Sequence, residues 1–379
     1  MLTGCCHCTM VILEQIKRAK MTNPDIAGQR LYNQHISKQI FTKPGELVKY
    51  MGAVQAQDYA GAKWAIGLRL QKSSDAAIDK AMADGSIIRT HVMRPTWHFV
   101  SPDDLRWMLD LTASRIHAFS ASWYRKLQLD SVIFSRSNDA LARAMEGGKQ
   151  LNREEIKAVL EFAGIKTDDL RFVHLLMHAE LDKVICSGGR QGKQFTYALF
   201  DERVPVGSKV PREEALGELA KRYFTSHGPA TLQDFAWWSG LTLSDAKTGL
   251  DLAGNSLKGF ESNGIKLWMK ENGPDINIKT PVAYLLPAFD EFAVAYGDRT
   301  AAVNPEYLKQ AKHVIFDPSI LINNQVAGTW KRTINKNKID MALNLFGEIN
   351  STQIKAIKVA AGRYKTFMNK EEINIAGAA

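Results

Sequence analysis

The chain has 379 residues, 45% of them hydrophobic and 23% charged. That is globular usage, and it excludes wholesale disorder, a collagen-like repeat and a simple coiled coil. The apolar runs fall well short of the roughly 18 residues a membrane-spanning helix needs. Length alone suggests two or three domains. The net charge of +9 suits an anionic partner such as nucleic acid, although many soluble proteins are as basic without one.

Four cysteines occur. Cys5, Cys6 and Cys8 crowd the start with His7 between them, and Cys186 stands alone. This is no disulfide framework, so a reducing cytoplasm is expected. Structural zinc sites draw ligands from two separated pairs, and the second pair is missing, so no metal is expected. Residues 1–20 lack the basic, apolar, small-residue order of a signal peptide and read as a disordered extension.

The remaining chain repeats one plan, helix, helix, helix and hairpin, three times. In the first copy, residues 44–53 and 59–70 read as helices, and Ser74 caps a third over 75–83. Strands over 87–92 and 96–100 follow, with a turn at Arg94-Pro95, because proline cannot donate within a central strand. In the second, Asn152 and Glu155 form a capping box for a helix over 153–161. Thr167 caps a longer helix, 168–181, with Leu170, Val173, Met177 and Leu181 on its inner face. Strands over 184–187 and 195–199 flank the basic tip 188–193. In the third, a helix over 212–225 breaks at His227-Gly228-Pro229. Thr231 caps a short helix to Trp238, and Thr242 caps another to about Leu252. Strands over 257–261 and 265–269 then enclose Ser262-Asn263-Gly264, a hairpin turn signal.

Repeats of this kind read as tandem winged helices. The expected fold is α+β, with winged helices over 21–130, 131–210 and 211–280. After about residue 280 the pattern changes. Residues 319–322, 325–333 and 339–346 read as strands of a small antiparallel, barrel-like sheet, and 352–368 as a closing basic helix.

No phosphate loop, dinucleotide turn, nucleophile elbow or paired metal-binding histidine motif is present. Three segments carry polar groups in unusual settings. In Val54-Gln55-Ala56-Gln57-Asp58 the two glutamines face one way if the chain is extended, so their amides could converge on one water; solvated glutamines at a helix end are the plainer account. Residues 89–98 hold Arg89, Arg94, His91, His98 and Trp97 on a hairpin, suited either to phosphates and bases or to ordinary packing. In Leu286-Pro287-Ala288-Phe289-Asp290-Glu291, two carboxylates sit among apolar residues. Burial demands partners for them, and Arg299 or an arginine of the first hairpin is expected.

Together, Gln55-Ala56-Gln57, Arg89-Thr90-His91-Val92-Met93-Arg94, Leu286 to Glu291 and Gly328-Thr329-Trp330-Lys331-Arg332 resemble the AlkZ and YcaQ group of bacterial DNA glycosylases over about 26–367. The resemblance implies three tandem winged helices in a C-shaped body around a DNA channel, completed by the barrel-like region. It implies hydrolysis of the N-glycosidic bond of alkylated purines, interstrand crosslinks included, without a cofactor. The family's Gln-x-Gln motif falls on Gln55 and Gln57, which would hold the attacking water. Arg89, His91, Arg94, Arg190 and Lys193 are expected to hold phosphates of double-stranded DNA, in a monomer away from membranes. A non-enzymatic winged-helix regulator is the alternative, and a basic interaction scaffold a weaker third.

Overall fold

The computed structural model describes residues 21–168, 170–271, 281–314 and 316–377. The extension and cysteine cluster expected at 1–20 lie outside the described residues.

Helix α1 (Asn23–Asn33) opens on a capping box in which Thr22 and Asp25 satisfy each other's backbone N–H groups. Helix α2 (Pro44–Met51), strand β1 (Ala53–Gln55), helices α3 (Tyr59–Arg69) and α4 (Asp75–Ala83), and strands β2 (Ile88–Val92) and β3 (Arg94–Val100) follow. Residues 53–55, expected at a helix end, form a strand that pairs with β3, so the sheet order is β1-β3-β2. The hairpin reverses at Met93, with φ +64°, one residue before the expected turn, and exposed Pro95 lies inside β3.

A 25-residue helix, α5 (Pro102–Lys126), leads on to α6 (Ser131–Met145), which Asp130 caps. Strand β4 (Leu151–Asn152), helices α7 (Arg153–Phe162) and α8 (Arg171–Leu181), and strands β5 (Ile185–Gln191) and β6 (Gln194–Leu199) complete the second group, with sheet order β4-β6-β5. The Asn152–Glu155 box forms as expected. The Thr167 cap does not: α8 starts three residues later than expected with Leu170 in the cap position, and the Thr167 hydroxyl donates to Glu161. Of the expected inner face, Met177 and Leu181 are buried, whereas Leu170, now ahead of the helix, is 46% exposed and Val173 42%.

The third group comprises α9 (Arg212–Ser226), α10 (Leu232–Ser239), α11 (Leu243–Ala253), β7 (Leu257–Ser262) and β8 (Ile265–Lys270), with Ala230 bridging to Trp268 of β8. Thr231 and Thr242 cap α10 and α11. Gly240 ends α10 with φ +70°, and a Cβ there would lie 2.2 Å from the Met93 carbonyl. This close approach docks the third group on the first hairpin.

Strand β9 (Ala283–Leu286), helix α12 (Glu291–Val294), strands β10 (Ser319–Ile322), β11 (Gln325–Ile334) and β12 (Lys338–Leu345), helix α13 (Ser351–Phe367) and strand β13 (Glu372–Ala376) form the last region. The sheet runs β13-β12-β11-β10-β9 without closing on itself, and β12 pairs with β13 in parallel. The expected antiparallel, barrel-like region is therefore an open mixed sheet. Its geometry follows from α13, which packs against β9 and returns the chain so that β13 enters alongside β12 in parallel.

One hydrophobic core joins α1–α4 to this sheet and α13. Trp64 donates to the Leu285 carbonyl at 2.7 Å and packs edge-on against Tyr364, with ring centroids 5.0 Å apart. A second core joins the first hairpin to α5 and the third group, and a third lies within the second group. Among the described residues, no helix is long and apolar enough to cross a membrane.

Candidate active site

Strand β1 delivers the Gln-Ala-Gln segment to the seam between the first group and the last region. Gln55 pairs with His98 across β1 and β3. The chain stays extended one step further: Ala56 N–H donates to the Trp97 carbonyl at 2.7 Å, and Trp97 N–H donates to Gln57 Oε1 at 3.3 Å. Ala56 is fully buried, Gln55 partly buried and Gln57 exposed. Period-two alternation therefore sets both glutamines on the face opposite Ala56.

Three further contacts hold this segment. Gln55 N–H donates to Glu291 Oε1 at 2.6 Å. Arg89 donates to the Ala56 carbonyl from Nε at 3.1 Å and from its terminal nitrogen at 3.0 Å. The Arg89 guanidinium also lies 4.2 Å from the Trp97 ring and 4.7 Å from the Phe195 ring, cation against aromatic face. Gln55 Oε1 is buried and has no hydrogen-bond partner among the described residues.

Glu291 is fully buried. Besides Gln55 it meets the Trp238 indole N–H at 2.9 Å and His227 Nε2 at 3.2 Å, both on Oε2. Burial raises its pKa, but His227 and the Gln55 amide outweigh that, leaving it at about 2. It is therefore a carboxylate at neutral pH, held by donors from the first and third groups. His98 is buried as well, and its Nδ1 lies 2.9 Å from the Thr96 carbonyl. A carbonyl can only accept, so Nδ1 carries the proton and Nε2 is left as an acceptor. That Nε2 has no partner among the described residues. Burial and nearby Arg94 push the His98 pKa down to about 3, so the ring is neutral.

The expected phosphate ligands separate into different environments. Arg89 is only 7% exposed and is committed to the Ala56 carbonyl; burial lowers its pKa to about 10. His91 is buried, bonded to Glu180 and packed against Trp97 with ring centroids 4.1 Å apart. Both side chains are therefore engaged inside the protein, unlike Lys193. Arg94 is partly buried, with two guanidinium nitrogens unpartnered among the described residues. Burial lowers its pKa, only partly offset by the charge of Glu291. Arg190 folds back over Tyr59 and Phe195, 3.8 Å from Asp79. Lys193 stands exposed at the tip of the β5–β6 hairpin.

The buried acids also find partners other than those expected. Asp290 takes both terminal nitrogens of Arg69, at 2.7 and 2.8 Å, in a pair that is essentially fully buried; Arg69 also donates to the Ala65 carbonyl and to Gln34. Arg299 instead donates to the Ala293 carbonyl. His98 was visible only as one of several polar residues on the first hairpin, and His227, Trp238 and the Glu291–Gln55 contact were not found by sequence reasoning. The one available signal was Glu291 itself, a carboxylate in an apolar run.

A fixed carboxylate, two neutral imidazoles and amides that can orient water but not deprotonate it suit hydrolysis through a cationic transition state. A model of the AlkZ-like DNA glycosylases matches residues 48–367, and the chain belongs to that family. It is a DNA glycosylase, a hydrolase of DNA repair. The chain is 25% identical over 329 residues to the interstrand DNA cross-link repair glycosylase of Streptomyces sahachiroi, covering 80% of this chain and 85% of that one. Its fold matches the solved structure of the Streptomyces sahachiroi DNA glycosylase AlkZ with a TM-score of 0.75 at 20% identity, over 94% of this chain and all of the other.

Proposed function

We propose that this glycosylase excises purines alkylated at N7 or N3, bases that are already cationic in DNA. The C1′–N9 bond breaks with its electron pair going to the purine, which leaves neutral, and water adds to the cationic C1′ and gives up its proton to bulk solvent. Gln55 and Gln57 orient that water and turn amide oxygens toward the cationic sugar. Glu291 fixes Gln55 from behind and supplies a buried negative charge on that side. The observation that supports this most is the clamp itself: Gln55 N–H on a buried carboxylate, Ala56 held from both sides, and a buried Gln55 oxygen free to accept. Among the described residues, no group near Gln55 and Gln57 is suited to protonate a neutral leaving base, since His98 and His227 are held neutral by burial.

The three helix and hairpin groups are winged helices arranged as a C-shaped body along double-stranded DNA, with Lys193 and Arg190 at the second wing on the phosphates and Arg94 beside the reacting nucleotide. The relative's name points to interstrand crosslinks as substrates too, since N7 adducts share the cationic leaving group. The protein acts as a monomer in the cytoplasm.

The test is a single-turnover comparison of N7-methylguanine, uracil and hypoxanthine in one duplex. Release of N7-methylguanine alone is expected, with Gln55→Ala or Gln57→Ala slowing it by about 10- to 1,000-fold. Equal rates on uracil would overturn the proposal.

A further inference from the structure

A second cluster of chemistry-bearing side chains lies away from the glutamines, where α5, α6 and α8 meet. His117 comes from α5, His178 from the last turn of α8, and Asp182 is the residue that caps α8. One ligating atom from each lies within 4.8 Å of the others. His117 Nε2 is 3.1 Å from Asp182 Oδ1, and His178 Nδ1 is 3.1 Å from Oδ2. We propose that His117, His178 and Asp182 form a divalent-metal site of the zinc type, a structural clamp between α5 and α8.

Three observations favour a metal over a plain hydrogen-bonded trio. The first is spacing: ligands at zinc bond lengths on a tetrahedron lie about 3.3 Å apart, close to both 3.1 Å separations. The second is direction. A hydrogen bond needs its N–H aimed at the acceptor, whereas on a tetrahedron each metal–ligand bond points about 35° away from the line to the neighbouring ligand. His117 Nε2 is aligned to hydrogen-bond Asp182 Oδ1, but His178 Nδ1 is close to the carboxylate yet misaligned, and it is buried without a hydrogen-bond partner among the described residues.

The third is the surroundings. His117 Nδ1 lies 3.2 Å from the Tyr124 hydroxyl, an outer contact that orients the ring and leaves Nε2 pointing at the cluster. The His178 ring stacks on Phe134, with centroids 3.6 Å apart and planes 11° from parallel. Asn138 of α6 donates to Asp182 Oδ2 at 3.2 Å while its own Oδ1 is buried and unpartnered. Turning that amide over offers an oxygen as a fourth ligand, because the two amide orientations fill the same space. Two imidazoles and a carboxylate suit zinc and its neighbours better than calcium or magnesium, which prefer oxygen alone.

The test uses the full chain with Cys5, Cys6 and Cys8 all replaced by serine, so that the thiol cluster cannot contribute. Cobalt(II) is titrated and followed by its visible spectrum, then displaced with zinc. One cobalt per chain is expected, without the near-ultraviolet band that thiolate ligands give. The further change His178→Gln or Asp182→Asn is expected to weaken binding at least about 100-fold. Zinc is expected to raise the thermal midpoint of the triple-serine chain but not of its Asp182→Asn derivative. Asp182 is partly solvent-exposed, so its amide variant tolerates the change even if a histidine variant does not fold. No cobalt uptake, or uptake untouched by Asp182→Asn, would mean that the trio is only a hydrogen-bonded network.

Discussion

Replacing Glu291 by glutamine changes one oxygen to an NH2 group and removes a charge. In the native site three donors converge on that carboxylate: the Gln55 amide at 2.6 Å, the Trp238 indole at 2.9 Å and His227 at 3.2 Å. Glutamine can accept on one oxygen only, so at least one donor must face an NH2 group. A hydrogen bond to a charged group contributes about 1.5–3 kcal/mol, and Glu291→Gln is expected to lower stability by about that much. With about 5–15 kcal/mol available to a typical domain, the variant still folds. The rate effect is larger. Losing a preorganised electrostatic group costs about 100- to 1,000-fold in the chemical step, and here the misplacement of Gln55 adds to the lost charge. The assay is single-turnover release of N7-methylguanine with enzyme in excess, beside urea denaturation and DNA binding. Trp238→Phe serves as the comparison, because it removes one donor and keeps the carboxylate; its loss is expected to be about 10-fold. A folded Glu291→Gln variant with native rate would refute the clamp, and equal losses in the two variants would reduce Glu291 to packing.

Arg89→Lys keeps a charge but cannot fork onto the Ala56 carbonyl; a rate loss of about 10-fold is expected with the salt dependence of DNA binding unchanged. Lys193→Ala is the converse: the slope of log affinity against log salt flattens by about 0.9, and the saturated rate holds. Arg69→Met strands Asp290 in the core, and denaturant titration is expected to show a loss of about 3–5 kcal/mol. Acid stability follows from two depressed pKa values. Glu291 contributes stability that is complete above its ordinary value of 4.5 and is lost as pH falls through its folded value of about 2. Neutral His98, with an ordinary value of 6.5, adds a loss that begins near there and continues down to its folded value of about 3. In that window the unfolded chain binds the extra proton, so unfolding free energy falls by about 1.4 kcal/mol per pH unit for that group. Stability that stays flat from pH 6.5 to 4 would show that His98 is not buried and neutral.

Local elements were legible because their causes are local. A side chain three residues from its partner either caps a helix or does not, and Asn152 with Glu155, Thr231 and Thr242 all cap as their spacing indicates. The Ser262-Asn263-Gly264 signal likewise carries its positive-φ residues, Asn263 and Gly264, wherever the hairpin packs. Thr167 failed because the helix begins only at Arg171, with Leu170 in the cap position, so Thr167 stands too far ahead of its first turn. Gln55 and Gln57 were visible as a spacing, and the family resemblance rested on motifs readable in order along the chain. Their setting was not visible. The partner of Gln55 N–H lies 236 residues away, and that of Arg69 lies 221. Nor was the bond of Arg89 to the backbone visible, since the Ala56 carbonyl and the Trp97 and Phe195 rings reach it only once β1, β2, β3 and β6 are assembled. The direction of the last strand was equally out of reach: nothing local distinguishes a strand that pairs in parallel with β12 from one that closes a barrel, and only the return of the chain through α13 decides it. Short-range hydrogen bonding and periodicity are written into neighbouring residues, whereas the choice of partner for a buried charge depends on which distant surfaces the core brings together.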